Sequence, residues 1–408
     1  MTEIAVGSVV LILLVLLLTV GLLAAHRRLV PQGGVAVTVN ETSVLGARPG
    51  DRLLSVLHGA GIGIPAGCGG NGTCGLCRVT VTGEGAGEPQ ATERGVLSAA
   101  ERRQQVRLAC QVTVRGPVSV TVPSDALDAE RLVCPVVSNR MLAPLIRELV
   151  VALPKDHDFR FRAGAFMQLT APPYELDFTD IEVPDSFSEA WKIAGWDTLS
   201  ARSTRPVTRA YSIACRPEDV AAGRLIFNIR LAVPPAGREG EVPPGAVSSY
   251  LFSLQPGDSI GVAGPYGDFH VQPTHREMIF IGGGVGMAPL RAMIHEQIGQ
   301  GTQRKMSYFY GARTRADLFY TEEFEALARR DGTFHWTPAL SDPAPGDRWT
   351  GKTGFIHQIV ADRMRDHPAP EDCEYYLCGP PVMISAVLTM LERLGVERET
   401  IFNDDFGA

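Results

Sequence analysis

The fourteen residues AGCGGNGTCGLCRV, Ala66 to Val79, place Cys68, Cys74 and Cys77 in one loop with five glycines. So few apolar side chains cannot organise a loop, and its thiols must. Thiols at this density make disulfides, a zinc clip or the cradle of an iron-sulfur cluster. A fourth cysteine, Cys110 in RLACQV, completes C-x5-C-x2-C-x32-C. Zinc ribbons bring two C-x2-C pairs, whereas this chain has one. The glycines favour a cluster, because a loop wrapped round anionic sulfur must take positive φ angles and aim backbone N–H groups inward. The spacing makes Cys68, Cys74 and Cys77, with Cys110 as fourth candidate, ligands of a metal centre, and the glycines favour an iron-sulfur cluster over zinc. Cys134, Cys215 and Cys373 read as small buried hydrophobes.

At the amino terminus, Ile4 to Ala25 run 22 residues without a charge. As a helix that is about 33 Å, enough to cross a bilayer. Glu3 precedes the run and His26, Arg27 and Arg28 follow it, the reverse of a secretory signal. The positive-inside rule then places the rest of the chain in the cytoplasm. We expect a retained transmembrane helix within residues 1–30, a lipid bilayer as partner, and a cytosolic body in which structural disulfides are disfavoured. A chain of 408 residues exceeds one ordinary core. Its net charge of −7 excludes a general nucleic-acid binder, which would carry a basic face.

The flanks of the cysteine loop alternate as strands (VAVTVN, CRVTVTG, PVSVTV) around a short helix, RLLSVLHGAG, ended by glycine. Residues 35–123 resemble the [2Fe-2S] ferredoxins, which implies an α+β β-grasp domain. The first gap is x5 rather than the plant-type x4.

From residue 131 to 270 short strands such as IRELVVAL and RLIFNIRLAV predict a small antiparallel β-barrel. It contains RAYS (Arg209–Ser212), GAVSSYL and GPYGDF, and is followed by IGGGVGMAP. In this order the four pieces resemble the ferredoxin-NADP reductase superfamily. The resemblance implies FAD, with Arg209 on its pyrophosphate, Tyr211 stacked on the isoalloxazine and Ser212 at flavin N5. Ser248 and Ser249 are expected to begin a helix whose hydroxyls and amides hold the remaining phosphate charge. An insertion at 174–206 carries seven acids, three bases and two tryptophans. It reads equally as a surface elaboration packing its own tryptophans or as a docking surface.

Residues 275–408 alternate strand and helix, an α/β Rossmann-like pattern. Gly282, Gly283, Gly284 and Gly286 would let amides approach a pyrophosphate. Pro289 replaces the last glycine of the usual fingerprint, as in the reductase superfamily. The resemblance puts Cys378 of CGPPVM beside the nicotinamide, with Ser212 and Tyr211 completing the catalytic group. Asp342 follows a strand where NADPH users in the superfamily place arginine, and an acid there implies NADH.

The full order of anchor, [2Fe-2S] domain, FAD barrel and NADH domain resembles the family of electron-entry subunits of the bacterial sodium-translocating NADH:quinone oxidoreductases. That resemblance implies a bacterial inner-membrane complex with other subunits, in which hydride from NADH enters at FAD and electrons leave singly through the cluster toward quinone. The alternative is an NADH-dependent reductase component of an oxygenase. Phe406, near the chain end, is expected to shield the flavin.

Overall fold

The computed structural model describes residues 13–21, 34–68, 70–123, 126–127, 129–155, 157–346 and 348–404. Phe406 and most of the expected anchor lie outside them. Residues 13–21 form a helix whose leucines and valines are exposed; Thr19 returns its hydroxyl to the carbonyl of Val15 at 2.8 Å. Among the described residues, no helix is long and apolar enough to cross a membrane.

The chain divides into two compact units, one formed by the described parts of Met1–Ile64 and Gly70–Pro123, the other by those of Pro65–Gly69 and Ser124–Ala408. In the first, β1 (Val35–Val39), β2 (Ser43–Ala47), β3 (Arg78–Thr82), β4 (Val106–Leu108) and β5 (Val118–Thr121) form one sheet in the order β2-β1-β5-β3-β4. Strands β1 and β5 are parallel and the other pairs antiparallel. Alternation in β1 buries Val35, Val37 and Val39, and the helix Leu53–Gly59 contributes Leu53, Leu54 and Leu57 to the core. This is the expected β-grasp arrangement.

The second unit begins with β6 (Glu130–Ala143), β7 (Ile146–Ala152) and β8 (Phe166–Ala171). After the β9 (Tyr174–Asp177) and β10 (Ser200–Ser203) hairpin come β11 (Val207–Ser212), β12 (Arg224–Arg230) and β13 (Ser259–Tyr266). Apart from the hairpin these pair antiparallel in the order β11-β8-β13-β6-β7-β12. A bridge from Ile213 to Phe227, reinforced by Ala214 N–H to Ile226 O at 2.8 Å, joins the two edges and closes the barrel. The insertion is an ordered hairpin with a helix, Asp185–Ile193. Its Trp191 is buried, donates to Pro144 O at 2.6 Å and meets Trp196 edge to face. The tryptophans are thus packing residues.

The nucleotide lobe of the same unit holds β14 (Met278–Gly283), β15 (Met306–Ala312), β16 (Phe334–Leu340), β17 (Lys352–Thr353), β18 (Glu374–Cys378) and β19 (Ile401–Asp404). The all-parallel order is β17-β16-β15-β14-β18-β19. Strand β14 is buried on both faces. Met278 and Phe280 enter one core, with Met287, Leu290 and Phe324. Ile279 and Ile281 enter the other, with Ile356, Val360 and Val387. Helices therefore cover both faces, as a parallel sheet requires.

Barrel and nucleotide lobe are pinned by Arg291, on helix Met287–Gly299. Its guanidinium donates to Ala214 O of the barrel at 2.5 Å and forks onto Glu323 at 2.7 and 2.8 Å. It lies 4.4 Å from the Tyr320 ring, whose hydroxyl donates to Glu148 of the barrel at 2.6 Å. Burial pushes the Glu323 carboxyl up, but His295 and Arg291 outweigh it and hold the group at about 2. Arg291→Leu strands that carboxylate, and we expect a loss of about 3–5 kcal/mol, measured by thermal unfolding of the flavin-loaded protein. The folded carboxyl lies below its ordinary 4.5, so the stabilisation is complete above that pH and disappears as pH falls through about 2. The difference between parent and variant should narrow across that interval.

Candidate functional site

In the first unit, Cys77 and Cys110 are buried with their sulfurs 3.3 Å apart. Cys74, on the same unit, is half-buried. The contact with the Cys110 thiol, and then burial, push the Cys77 thiol far above its ordinary value. A cation replacing the protons is the arrangement under which such a pair ionises, which fits an iron-sulfur donor set. Gly70, Gly72 and Gly75 all take positive φ, as the spacing argument requires. Cys68 is half-buried on the Pro65–Gly69 loop, which groups with the second unit.

Residues that the sequence reading passed over support this loop. Gln111 donates to Cys110 Sγ at 3.4 Å and to Gly70 O at 3.0 Å. Gln90 and Thr92 in turn hold Gln111. Beneath them Arg107 grips the fully buried Glu93 through two nitrogens, at 2.9 and 3.0 Å. Burial raises the Glu93 carboxyl, but Arg107 and the amides of Gln90 and Leu108 hold it below its usual range. The signal in the sequence was QATE, a capping-box spacing, whose glutamate serves both the helix start and the arginine.

In the barrel, β11 presents Arg209 and Tyr211 on one face and Ser212 on the other. Arg209 donates to Thr208 O at 2.9 Å and, among the described residues, pairs with no carboxylate. That cation suits a phosphate. Helix Ala246–Ser253 starts two residues earlier than expected, with Gly245 as its cap. This corrects the reading of Ser248 and Ser249 as a helix start. The Ser248 hydroxyl is committed to Gly245 O and Ala232 N–H, and the Ser249 amide bonds to Gly245 O. The neighbouring Tyr174 hydroxyl donates to Ala246 O at 2.5 Å. The Ser249 hydroxyl is fully buried beside the Tyr174 hydroxyl.

In the nucleotide lobe the four glycines have different tasks. Gly282 and Gly283 belong to β14, so they are strand residues rather than part of the turn. Gly284 turns at φ +55° with open space where a Cβ would stand, and a Cβ on Gly286 would lie 1.9 Å from Cys378 O. Gly286 is therefore required by close packing at the point where the strand order reverses between β14 and β18. Open parallel sheets bind ligands at this reversal. Cys378 is fully buried and registers with Gly282 on one side and Asp404 on the other. Asp404 lies 3.5 Å from the Ser212 hydroxyl, so the barrel's RAYS strand and the Cys378 strand end meet at one place.

Asp342 hangs from the end of β15 through its amide, which bonds to Arg313 O at 2.9 Å. Its carboxylate faces the Arg313 guanidinium at 3.3 Å. The acid is therefore accompanied by a cation, which the sequence reading did not anticipate. Cys134 and Cys215 are core residues as expected. Cys373 is likewise a buried core residue as expected, and its sulfur also lies beside His367 and Glu277.

Family models match in the same order as these structures: a 2Fe-2S iron-sulfur cluster binding domain over residues 37–115, an oxidoreductase FAD-binding domain over 198–271 and an oxidoreductase NAD-binding domain over 280–389. Proteins named as the F subunit of the Na(+)-translocating NADH-quinone reductase are similar along the whole chain. Those of Idiomarina loihiensis and Neisseria meningitidis are each 42% identical, over 100% and 99% of this chain, and that of Yersinia pseudotuberculosis is 43% identical over 99%. All three relatives are covered in full. The chain belongs to the family of Na(+)-translocating NADH-quinone reductase F subunits.

A solved structure, the Amycolatopsis cytochrome P450 reductase GcoB, is similar at 26% identity and a TM-score of 0.62, over 91% of this chain and 98% of that one. The ferredoxin reductase in carbazole 1,9a-dioxygenase shares the fold at 24% identity and a TM-score of 0.58, over 92% of this chain and 98% of that one. This chain thus carries 2Fe-2S, FAD-binding and NAD-binding domains in one polypeptide.

The packing at the strand reversal is testable. Gly286→Ala forces the glycine turn away from Cys378, at an overpacking cost of about 1–3 kcal/mol. Stopped-flow measurement should show NADH-driven flavin reduction slowed at least about tenfold, the equivalent of 1.4 kcal/mol, with flavin content unchanged.

Proposed function

We propose that the chain is the electron-entry component of a membrane-bound, sodium-translocating NADH:quinone oxidoreductase, working with other subunits of that complex. The observation that carries this reading is the meeting of the RAYS strand and Cys378 through Asp404, in a chain whose full-length relatives bear that name. When bound, FAD supplies a two-electron acceptor that releases electrons singly, and the cluster a one-electron relay. Arg209 and the turn at Gly245–Ser249 neutralise and orient the pyrophosphate. Tyr211 would cover one ring face, and Ser212, whose hydroxyl lies 3.5 Å from Asp404, would reach flavin N5. Gly284 and Gly286 admit the NADH pyrophosphate, and buried Cys378 keeps water from the hydride path. Cys68, Cys74, Cys77 and Cys110 hold the [2Fe-2S] cluster, with Gln111 donating to Cys110 sulfur. Phe406 shields the exposed flavin face between turnovers.

The segment Ile4–Ala25 anchors the protein in the bacterial inner membrane with the catalytic domains in the cytoplasm. The seven leucines and valines exposed along residues 13–21 support this, since an apolar helix face open to its surroundings is suited to lipid. The four-part organisation at 1–30, 35–123, 131–270 and 275–408 belongs to the same reading. An oxygenase-reductase role is the second reading, favoured by the similarity to the P450 reductase. Deleting residues 1–30 separates the two. The truncated protein should reduce small artificial acceptors at the parent rate yet fail to restore quinone reduction to membranes lacking this chain. Full restoration would remove the anchor.

Two substitutions test the site. Cys110→Ala should abolish the paramagnetic signal of the reduced cluster while NADH still bleaches the flavin, and an unaltered signal would place the fourth ligand elsewhere. Asp342→Ala releases Arg313 for a 2′-phosphate. The ratio of NADPH to NADH turnover should rise at least about tenfold, or 1.4 kcal/mol, and an unchanged ratio would end the role of Asp342 in choosing NADH.

A further inference from the structure

At the end of the nucleotide sheet opposite Cys378, three ligating side chains converge. Glu277 immediately precedes β14 and Cys373 immediately precedes β18, and the two strand starts are tied by Glu374 N–H to Glu277 O at 2.8 Å. His367 lies two residues beyond helix Ile356–Arg365. Its Nε2 is 3.3 Å from Glu277 Oε2 and 4.0 Å from Cys373 Sγ, and one ligand atom from each residue lies within 4.8 Å of the others. A zinc ion with ordinary bond lengths of about 2.0–2.3 Å would set tetrahedral edges of roughly 3.3–3.7 Å. The trio needs to close by little more than about one ångström to reach that geometry. The cluster opens on a cleft of about 570 Å³, lined also by Thr274, His275, Arg276 and Asp372.

We propose that Glu277, His367 and Cys373 bind a zinc ion as a clip between the starts of β14 and β18 and the end of helix Ile356–Arg365. The mixed thiolate, imidazole and carboxylate set selects zinc over calcium or magnesium, which take oxygen ligands alone. Three protein ligands leave a fourth position facing the cleft, filled by water or by Asp372 or His275 from its wall. Binding releases the Cys373 thiol proton and moves the His367 ring proton to Nδ1. The Ala369 amide, which donates to Nδ1 at 3.3 Å, must then yield. That long contact is what the metal bonds replace. The site is a stabilising one, because it lies at the far end of the strands from the Gly282–Gly286 turn. Zinc that binds the folded state alone raises its stability by mass action.

The experiment uses the full chain with flavin and cluster in place. The protein is dialysed against a chelator, given one equivalent of zinc chloride, desalted, and analysed for zinc and iron. We expect one zinc per chain at unchanged iron content, a higher unfolding temperature, and unchanged NADH-driven flavin reduction. Cys373→Ala and His367→Gln should each retain almost none. Should either fail to fold, Glu277→Gln and the zinc X-ray absorption spectrum of the parent take its place, with one sulfur per zinc expected. No zinc on the parent, equal retention by the variants, or a four-sulfur spectrum marking zinc in the cysteine loop would each overturn the site.

Discussion

A buried guanidinium fixes the geometry on which hydride transfer depends. Arg291 is rooted in the first helix after the glycine turn, and its charge is met by Glu323 on the next helix and by Ala214 O in the barrel. Leaving water costs an arginine several kcal/mol, so it is stable inside only while every one of these partners is in place. The barrel and the nucleotide lobe are thereby held in one relative position. The contact of Ser212 with Asp404, and hence the meeting of the two motifs, follows from that restraint. Tyr320 extends the same network to Glu148 and Asn228 of the barrel.

The cysteine loop solves a different problem. It has almost no apolar side chains to bury, so its shape rests on polar bonds from beneath. Glu93 and Arg107 form a buried, bidentate pair, and Gln111 passes that rigidity to Cys110 and Gly70. Such a framework costs desolvation and gains definition, and definition is what a ligand loop requires. Two sulfurs held 3.3 Å apart are disfavoured as a pair of thiolates and favoured once a metal cluster takes their charge.

Around the strand reversal, space rather than charge decides identity. The carbonyl of Cys378 occupies the position where any side chain at residue 286 would stand. Charge enters at the rim, where Asp342 and Arg313 face each other in solvent, a pair worth only about 0–1 kcal/mol. So weak a pair stabilises little, and the carboxylate stands directly on the guanidinium.

The sequence by itself determined the elements and their order. Alternating valines define β1, the C-x5-C-x2-C spacing names a cluster loop, and the apolar run before the glycines marks a strand buried on both faces. These signals are local and periodic, and they are carried by residues within a few positions of one another. Only the tertiary structure decided what joins distant positions. Residues 93 and 107, 291 and 214, and 212 and 404 are paired by folding and by no spacing in the chain. The same reason explains the corrections. Ser248 reads as a helix start until Gly245 and Ala232 claim its hydroxyl, and no spacing in the chain tells that the parallel sheet sets the buried Cys373 beside Glu277 and His367. Periodicity reports which face of an element is apolar, whereas a buried polar partner is chosen by whichever group the fold brings within hydrogen-bond reach.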